Sequence, residues 1–402
     1  MTDLILLPDK EFKLRIEKIR AAALEQLPEG VNIDSAALLL GENASLFWLT
    51  GRVYAGWCYL PLDHTRKPLF LVRRPVGLGG ERVVEIHKPE DIPARLQENG
   101  LEVAAHLGLE LSLLPYAFVE RVRKALGNPG IFNASKAMSV ARSVKTPYEI
   151  DLIARSGVRQ AYVYHKIPEL FNDGMTDLEL DIAIENLSRL EGCLGQFRIS
   201  GADMELFMGS ILAGDNADEP SPYDFALGGA GQDPSMPVGS CGAIIRPHTT
   251  VMVDVNGNYT GYMTDMTRVF SFGEISDEAL RAHQCSLDIH HEFCRRAIPG
   301  AKASDLYDMA LDMARKAGFE RYFMGHRQHA GFCGHGVGIE INELPVIAPR
   351  SRDILAAGNV IALEPKFVIP GTGAVGIEST YHITPEGAVC LTDFPEEIQP
   401  LA

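Results

Sequence analysis

The chain has 402 residues, too many for one ordinary core, and reads as two domains. With 46% hydrophobic and 22% charged residues it has a globular composition, and a net charge of −16 without a long basic block argues against nucleic acid or an anionic membrane as partner. No stretch approaches the roughly eighteen apolar residues of a membrane span, MTDLILLPDKEF lacks the basic start of a signal peptide, and seven cysteines without a CxxC pair suit reduced thiols and a cytoplasmic address.

Residues 1–140 alternate short apolar runs with helical patterns, which predicts an α/β domain. FKLRIEKIRAAALEQL (12–27) is an amphipathic helix, and SAALLLG (35–41), SLFWLTG (45–51) and PLFLVRR (68–74) read as strands. The texture changes near residue 140, so the second domain is taken as 141–402. Thr146, Pro147 and Glu149 form a capping box with a proline start. A second box, Thr176 to Glu179, opens another helix.

AGDNADEPSPYDFALGGAGQDPSMPVGS (213–240) is too long for a plain connector and is expected to form a pocket wall. VMVDVNGNYTGYMTDMTRVF (251–270) is a hairpin. Helices start at Ser276 and Ser304, the second stopping at Gly318. NVIALEPKFVIP (359–370) and GAVGIESTYHIT (373–384) read as two strands around a Gly-rich turn. Two rounds of helix, helix, strand pair suggest an internal duplication and an α+β domain with helices stacked on a sheet.

The hairpins carry the chemistry. With a turn at Tyr259–Thr260, Asp254 lies directly opposite Asp265, their Cβ atoms about 4.5–5.5 Å apart. Aspartate is disfavoured in strands and costly to bury unpaired, so a cation is expected between the two. Glu364 and Glu378 meet across the last strand pair, centred on Gly371. His335 stands between Gly334 and Gly336, which let backbone approach a site closely. Cys333 either lines that site or is a small buried apolar residue. Four carboxylates and an imidazole match two divalent cations of the Mn, Fe, Co or Zn kind.

These segments, VDVNGNYTGYMTDMTR, GHGVGIEINELP, LEPKFVIPG and GIEST, resemble the motif blocks of the M24 metallopeptidases over about residues 140–390. That family holds the Xaa-Pro dipeptidases (prolidases), Xaa-Pro aminopeptidases and methionine aminopeptidases, with creatinase as a metal-free relative. ENASLFWLTG (42–51) resembles the creatinase-like N-terminal domain. The resemblance implies a pita-bread catalytic domain behind a smaller α/β domain. It implies a metal set of Asp254, Asp265, His335, Glu364 and Glu378, with Asp265 and Glu378 bridging, Asp254 on one ion, and His335 and Glu364 on the other. It implies metal-assisted hydrolysis of Xaa-Pro bonds in small peptides, with Glu364 and His335 as catalytic groups and Glu364 shuttling a proton. It also implies a homodimer.

Three positions depart from the family pattern. The histidine expected seven residues after His335 is Asn342, which keeps a hydrogen-bond donor for substrate but carries no charge. The histidine expected upstream of Asp254 is absent from QDPSMP (232–237), and His326 and His329 either stand in for it or serve only their loop. Gly376 stands where prolidases often place arginine. These departures keep open two alternatives: creatinase-like hydrolysis of a small non-peptide amide or amidine, and a catalytically inactive peptide-binding protein of the same fold.

Overall fold

The computed structural model describes residues 2–201 and 204–401. The chain divides into the units Met1–Arg142 and Ser143–Ala402. Among the described residues no helix is long and apolar enough to cross a membrane.

The first unit is built on a six-stranded mixed sheet. Its strands run in the order Val83–Glu85, Leu69–Arg74, Ala55–Pro61, Ala36–Leu40, His106–Leu109 and Gly130–Asn133. Leu39, Tyr59, Leu71 and Leu107 form part of the core on one face. The amphipathic helix spans Asp9–Leu24. SLFWLTG is not a strand: Asn43–Thr50 is a helix that ends at Gly51 with φ +75°. Leu46, Trp48 and Leu49 are all fully buried, so the short segment has no polar face and its pattern cannot separate helix from buried strand. The stop signal was the glycine, which takes the left-handed C-cap conformation without strain.

The second unit consists of two similar halves. In the first, helices Pro147–Leu170 and Asp177–Leu190 pack on the strands Gly209–Ala213, Thr249–Asn258 and Met263–Phe272. Both helices open with complete capping boxes, Thr146 with Glu149 and Thr176 with Glu179. Val251, Val253, Val255 and Phe270 face these helices in one apolar cluster. In the second half, helices Asp277–Arg296 and Ala303–Lys316 pack on strands drawn from 334–390. Ser276 caps the first of these helices through its side chain. Ser304 does not cap the second, whose N-cap is Lys302. Leu212, Met252, Val368 and Ala374 form a small core of their own, drawn from strands of both halves.

Each of the two long C-terminal strands is split. Val360–Leu363 and Phe367–Ile369 flank the break Glu364-Pro365-Lys366, and Gly373–Val375 and Ser379–Thr384 flank 376–378. Pro365 cannot donate to a ladder, and Gly376 has φ +108°. The outer pieces pair with each other and the inner pieces belong to a five-stranded sheet. The register is common to both, Phe367 opposite Val375 and Leu363 opposite Ser379. Glu364 and Glu378 therefore face each other inside the two breaks, with Glu378 held by an antiparallel bridge to Thr267.

Candidate active site

The 249–272 hairpin delivers two carboxylates. Asn256, not Asp254, stands opposite Asp265, and Asp254 stands opposite Thr267. The turn is one residue later than a Tyr259–Thr260 turn because Gly261 supplies a positive φ of +86° and its N–H donates to the Asn258 side chain at 3.1 Å. Side chains alternate along a strand, so Asp254, Asn256, Asp265 and Thr267 still share one face, with the aspartates diagonal. The Asn256 carboxamide, turned with its nitrogen toward Asp265, donates to both carboxylate oxygens at 2.8 and 3.2 Å.

The other predicted residues arrive on the same point. His335 lies in the strand Gly334–Gly336, and its Nδ1 lies 3.1 Å from the Gly336 carbonyl. A carbonyl only accepts, so Nδ1 carries a proton and Nε2 is the ring nitrogen that faces the centre. Nε2 is 3.4 Å from Glu364 Oε1 and 3.9 Å from Asp265 Oδ2. Asp265, His335 and Glu378 each offer a ligand atom to one cluster, and Asp254, Glu364 and Glu378 to a second.

The second cluster already holds a cation. Lys366 Nζ lies 2.8 Å from Asp254 Oδ2, 2.8 Å from Glu364 Oε2 and 3.1 Å from Glu378 Oε2. Its side chain is 0% exposed. Sequence reasoning missed this residue. The signal was present in LEPKF, because residues two apart in an extended segment point the same way and Glu364 already pointed inward.

The electrostatics follow this division. Burial disfavours the Lys366 ammonium, but Asp254, Glu364 and Glu378 outweigh it and hold the lysine well above its ordinary value. Burial also opposes the ionised form of Glu364, yet Lys366 and His335 overcome it and hold that carboxyl low. Glu378 is pushed up by burial and then by Glu364, and Asp265 is pushed up by burial and then by Glu378 and Asp254. Burial lowers His335, while Glu364 and Glu378 raise it further, so its net direction is up. The two carboxyls without a compensating cation are thus Asp265 and Glu378, whose ionised forms the site as it stands disfavours.

Glu378 shows the same thing in its hydrogen bonds. Its Oε2 accepts from Thr267 Oγ1 at 2.8 Å and from Lys366, while its buried Oε1 has no hydrogen-bond partner among the described residues. An orphaned buried carboxylate oxygen beside Asp265 and the inward Nε2 of His335 fits one divalent cation. Two ions do not fit the residues as they stand, because Lys366 has taken the second position.

Asp254, Asn256, Asp265, His335, Glu364 and Glu378 line one pocket with a cavity volume of about 80 Å³. Asp224, Phe225, Ala226 and Leu227 of the 213–240 segment form part of its wall, joined by Ile199, Leu206, Phe332 and Ile341. That segment is tied down by Asp177, whose carboxylate accepts from Asn216, Cys241 and Gly242. Asn342 also lines the pocket, but its oxygen accepts from the Ser200 N–H and its nitrogen donates to the Ser200 carbonyl, both at 2.7 Å. One amide hydrogen remains for a ligand, and the main work of the side chain is to hold the 199–206 wall. His326 bonds to Asp218 and His329 to the Phe323 carbonyl, and neither lines this pocket. Cys333 is fully buried in the apolar core, with its thiol pushed up by burial.

Residues 151–385 match the family model described as metallopeptidase family M24. The chain belongs to metallopeptidase family M24. Residues 15–144 match the creatinase/prolidase N-terminal domain. An Xaa-Pro dipeptidase from Pyrococcus horikoshii is 24% identical over 90% of this chain and 94% of its own length. One from Lactobacillus delbrueckii is 25% identical over 76% and 72%. The structure of an Xaa-Pro dipeptidase from Bacillus anthracis superposes with a TM-score of 0.77 at 22% identity, covering 97% of this chain and 99% of that one. An X-Pro aminopeptidase structure from Thermotoga maritima gives 0.75 at 20% identity, with 96% and 99% covered. The fold of this M24 member is therefore the pita-bread catalytic unit with a smaller N-terminal unit.

Proposed function

We propose that this M24 enzyme hydrolyses Xaa-Pro-type bonds in small peptides. The observation that carries the reading is the convergence of Asp254, Asp265, His335, Glu364 and Glu378 on the floor of one pocket with an apolar wall. Asp265, His335 and Glu378 would hold a divalent cation. Bound there, such an ion supplies Lewis-acid polarisation of a scissile carbonyl.

The remaining chemistry belongs to the chain. Lys366 fixes the orientation of Asp254 and Glu364 and holds the Glu364 carboxyl low. Glu364 Oε1, directed toward His335, is the carboxylate oxygen placed to receive a proton from an attacking water. Phe225, Leu227 and Phe332 shield the acidic floor from bulk water and suit an apolar ring such as proline.

Hydrolysis of a small non-peptide amide or amidine is a second reading. The fixed ammonium of Lys366 favours it, since a centre with its own cation depends less on added metal.

The test is a substrate panel. Protein stripped by chelator is resupplied with Mn²⁺ or Co²⁺ and offered Xaa-Pro dipeptides, longer Xaa-Pro peptides and non-peptide amides, with Glu364→Ala as control. Metal-stimulated cleavage of Xaa-Pro bonds that is lost in the variant is expected. Turnover confined to non-peptide substrates would move the assignment to the second reading.

A further inference from the structure

We propose that Lys366 is a built-in replacement for one of the two divalent ions, so that the centre takes a single ion, on Asp265, His335 and Glu378. The inference deepens the proposed function and rests on it only in placing a cation at this centre.

The geometry is specific. An ammonium has three N–H donors and no acceptor. Lys366 spends one on each of three carboxylates, at 2.8, 2.8 and 3.1 Å. Those carboxylates are the same three that form the second potential metal cluster. A divalent ion among them would need oxygens at about 2.0–2.2 Å from a point that the nitrogen already fills.

The lysine is not free to step aside. Its side chain is 0% exposed, so an entering ion could displace it only by stranding a buried charge or by moving the backbone. The backbone is held from two sides. The Lys366 carbonyl accepts from the Met324 N–H at 2.8 Å. Gly376 packs against it so closely that a Cβ there would sit 2.6 Å from the Pro365 carbonyl oxygen and 3.1 Å from Lys366 Cα. Glycine at 376 is thus required where the chain brings the lysine in.

Charge balance points the same way. With all four carboxyls in the ionised form that a metal ligand takes, they leave a formal triple negative excess against one ammonium. One divalent ion reduces it to a single charge, whereas two ions beside the lysine would make the centre net positive. The other ligand atoms lie on the far side of the centre: the orphaned Glu378 Oε1, the Asp265 carboxylate and the inward Nε2 of His335.

The test is the number of ions bound per chain. The apo-protein is titrated with Mn²⁺ or Zn²⁺ and read by native mass spectrometry and calorimetry, for wild type, Lys366→Ala and Asp265→Asn. One ion in wild type, two in Lys366→Ala and loss of the wild-type ion in Asp265→Asn are expected. Two ions in wild type, none, or an unchanged single ion in a folded Lys366→Ala would each overturn the proposal. If Lys366→Ala does not fold, electron paramagnetic resonance of Mn²⁺-loaded wild type decides alone. An isolated-ion spectrum supports the proposal, and a spin-coupled pair overturns it. Ion count and substrate turnover are separate readouts. A single ion without peptide cleavage would refute the substrate reading and leave the lysine assignment standing, and cleavage with two ions would do the reverse.

Discussion

Removing the Lys366 ammonium while keeping its bulk, as in Lys366→Met, should strand three carboxylates, two buried and Asp254 half-buried. Deleting one partner of a buried charge cluster costs about 3–5 kcal/mol, because the remaining charges lose their compensation without regaining water. The catalytic unit spans Ser143–Ala402. For domains near that size each kcal/mol shifts the melting temperature by about 2–4 °C, so a drop of roughly 6–20 °C in chelator is expected. Excess divalent ion should then return part of the loss. Binding at a hundred times the dissociation constant contributes about 2.7 kcal/mol per site. The variant has two sites to fill against one in wild type, so the gap between them should narrow by about that amount. Calorimetry or far-UV circular dichroism is the suitable assay, since both tryptophans, Trp48 and Trp57, lie in the N-terminal unit and would report on its unfolding instead. A variant as stable as wild type in chelator would refute the view that Lys366 neutralises the carboxylates. A variant that gains no more from metal than wild type would refute the view that the lysine occupies an ion position.

Two further predictions concern the surroundings of the site. Burial raises Asp181 from 3.8 to about 7, against a hydrogen bond from Ser240. Between those values the folded chain holds a proton that the unfolded chain releases, so stability falls as pH rises through this window. Asp181→Asn should therefore match wild type below about pH 4 and exceed it above pH 7 by roughly 2–4 kcal/mol, which denaturant midpoints at the two pH values would show. Asn342→Ala removes two hydrogen bonds to Ser200 and loosens the pocket wall. At about 1 kcal/mol per hydrogen bond, KM should rise several-fold with a smaller change in kcat, and an unchanged KM would show that this clamp does not shape the pocket.

Much of the molecule was legible in its sequence because the physics there is local. Thr146 with Glu149 and Thr176 with Glu179 fix helix starts within four residues, and both caps form as expected. The convergence of Asp254, Asp265, His335, Glu364 and Glu378 was legible because aspartate and glutamate in buried strands are costly without a cation. What failed depended on finer or longer-range effects. The hairpin register turned on which residue took a positive φ, and Gly261 rather than the Tyr259–Thr260 pair set it. SLFWLTG was misread because a wholly buried short helix carries no polar face. Asn342 was expected to serve substrate, but a backbone partner 142 residues earlier in the chain engages most of its hydrogen-bonding capacity. Lys366 was overlooked because lysine is ordinarily a surface residue, and only the inward orientation of Glu364 two positions before it marked it as buried.

The most direct measurement is an anomalous-scattering map from crystals of the wild-type protein soaked in Mn²⁺. The account predicts one peak in the catalytic unit, between Asp265, His335 and Glu378, with Lys366 Nζ still bonded to Asp254, Glu364 and Glu378. Two peaks, one of them among Asp254, Glu364 and Glu378 with the lysine displaced, would contradict it.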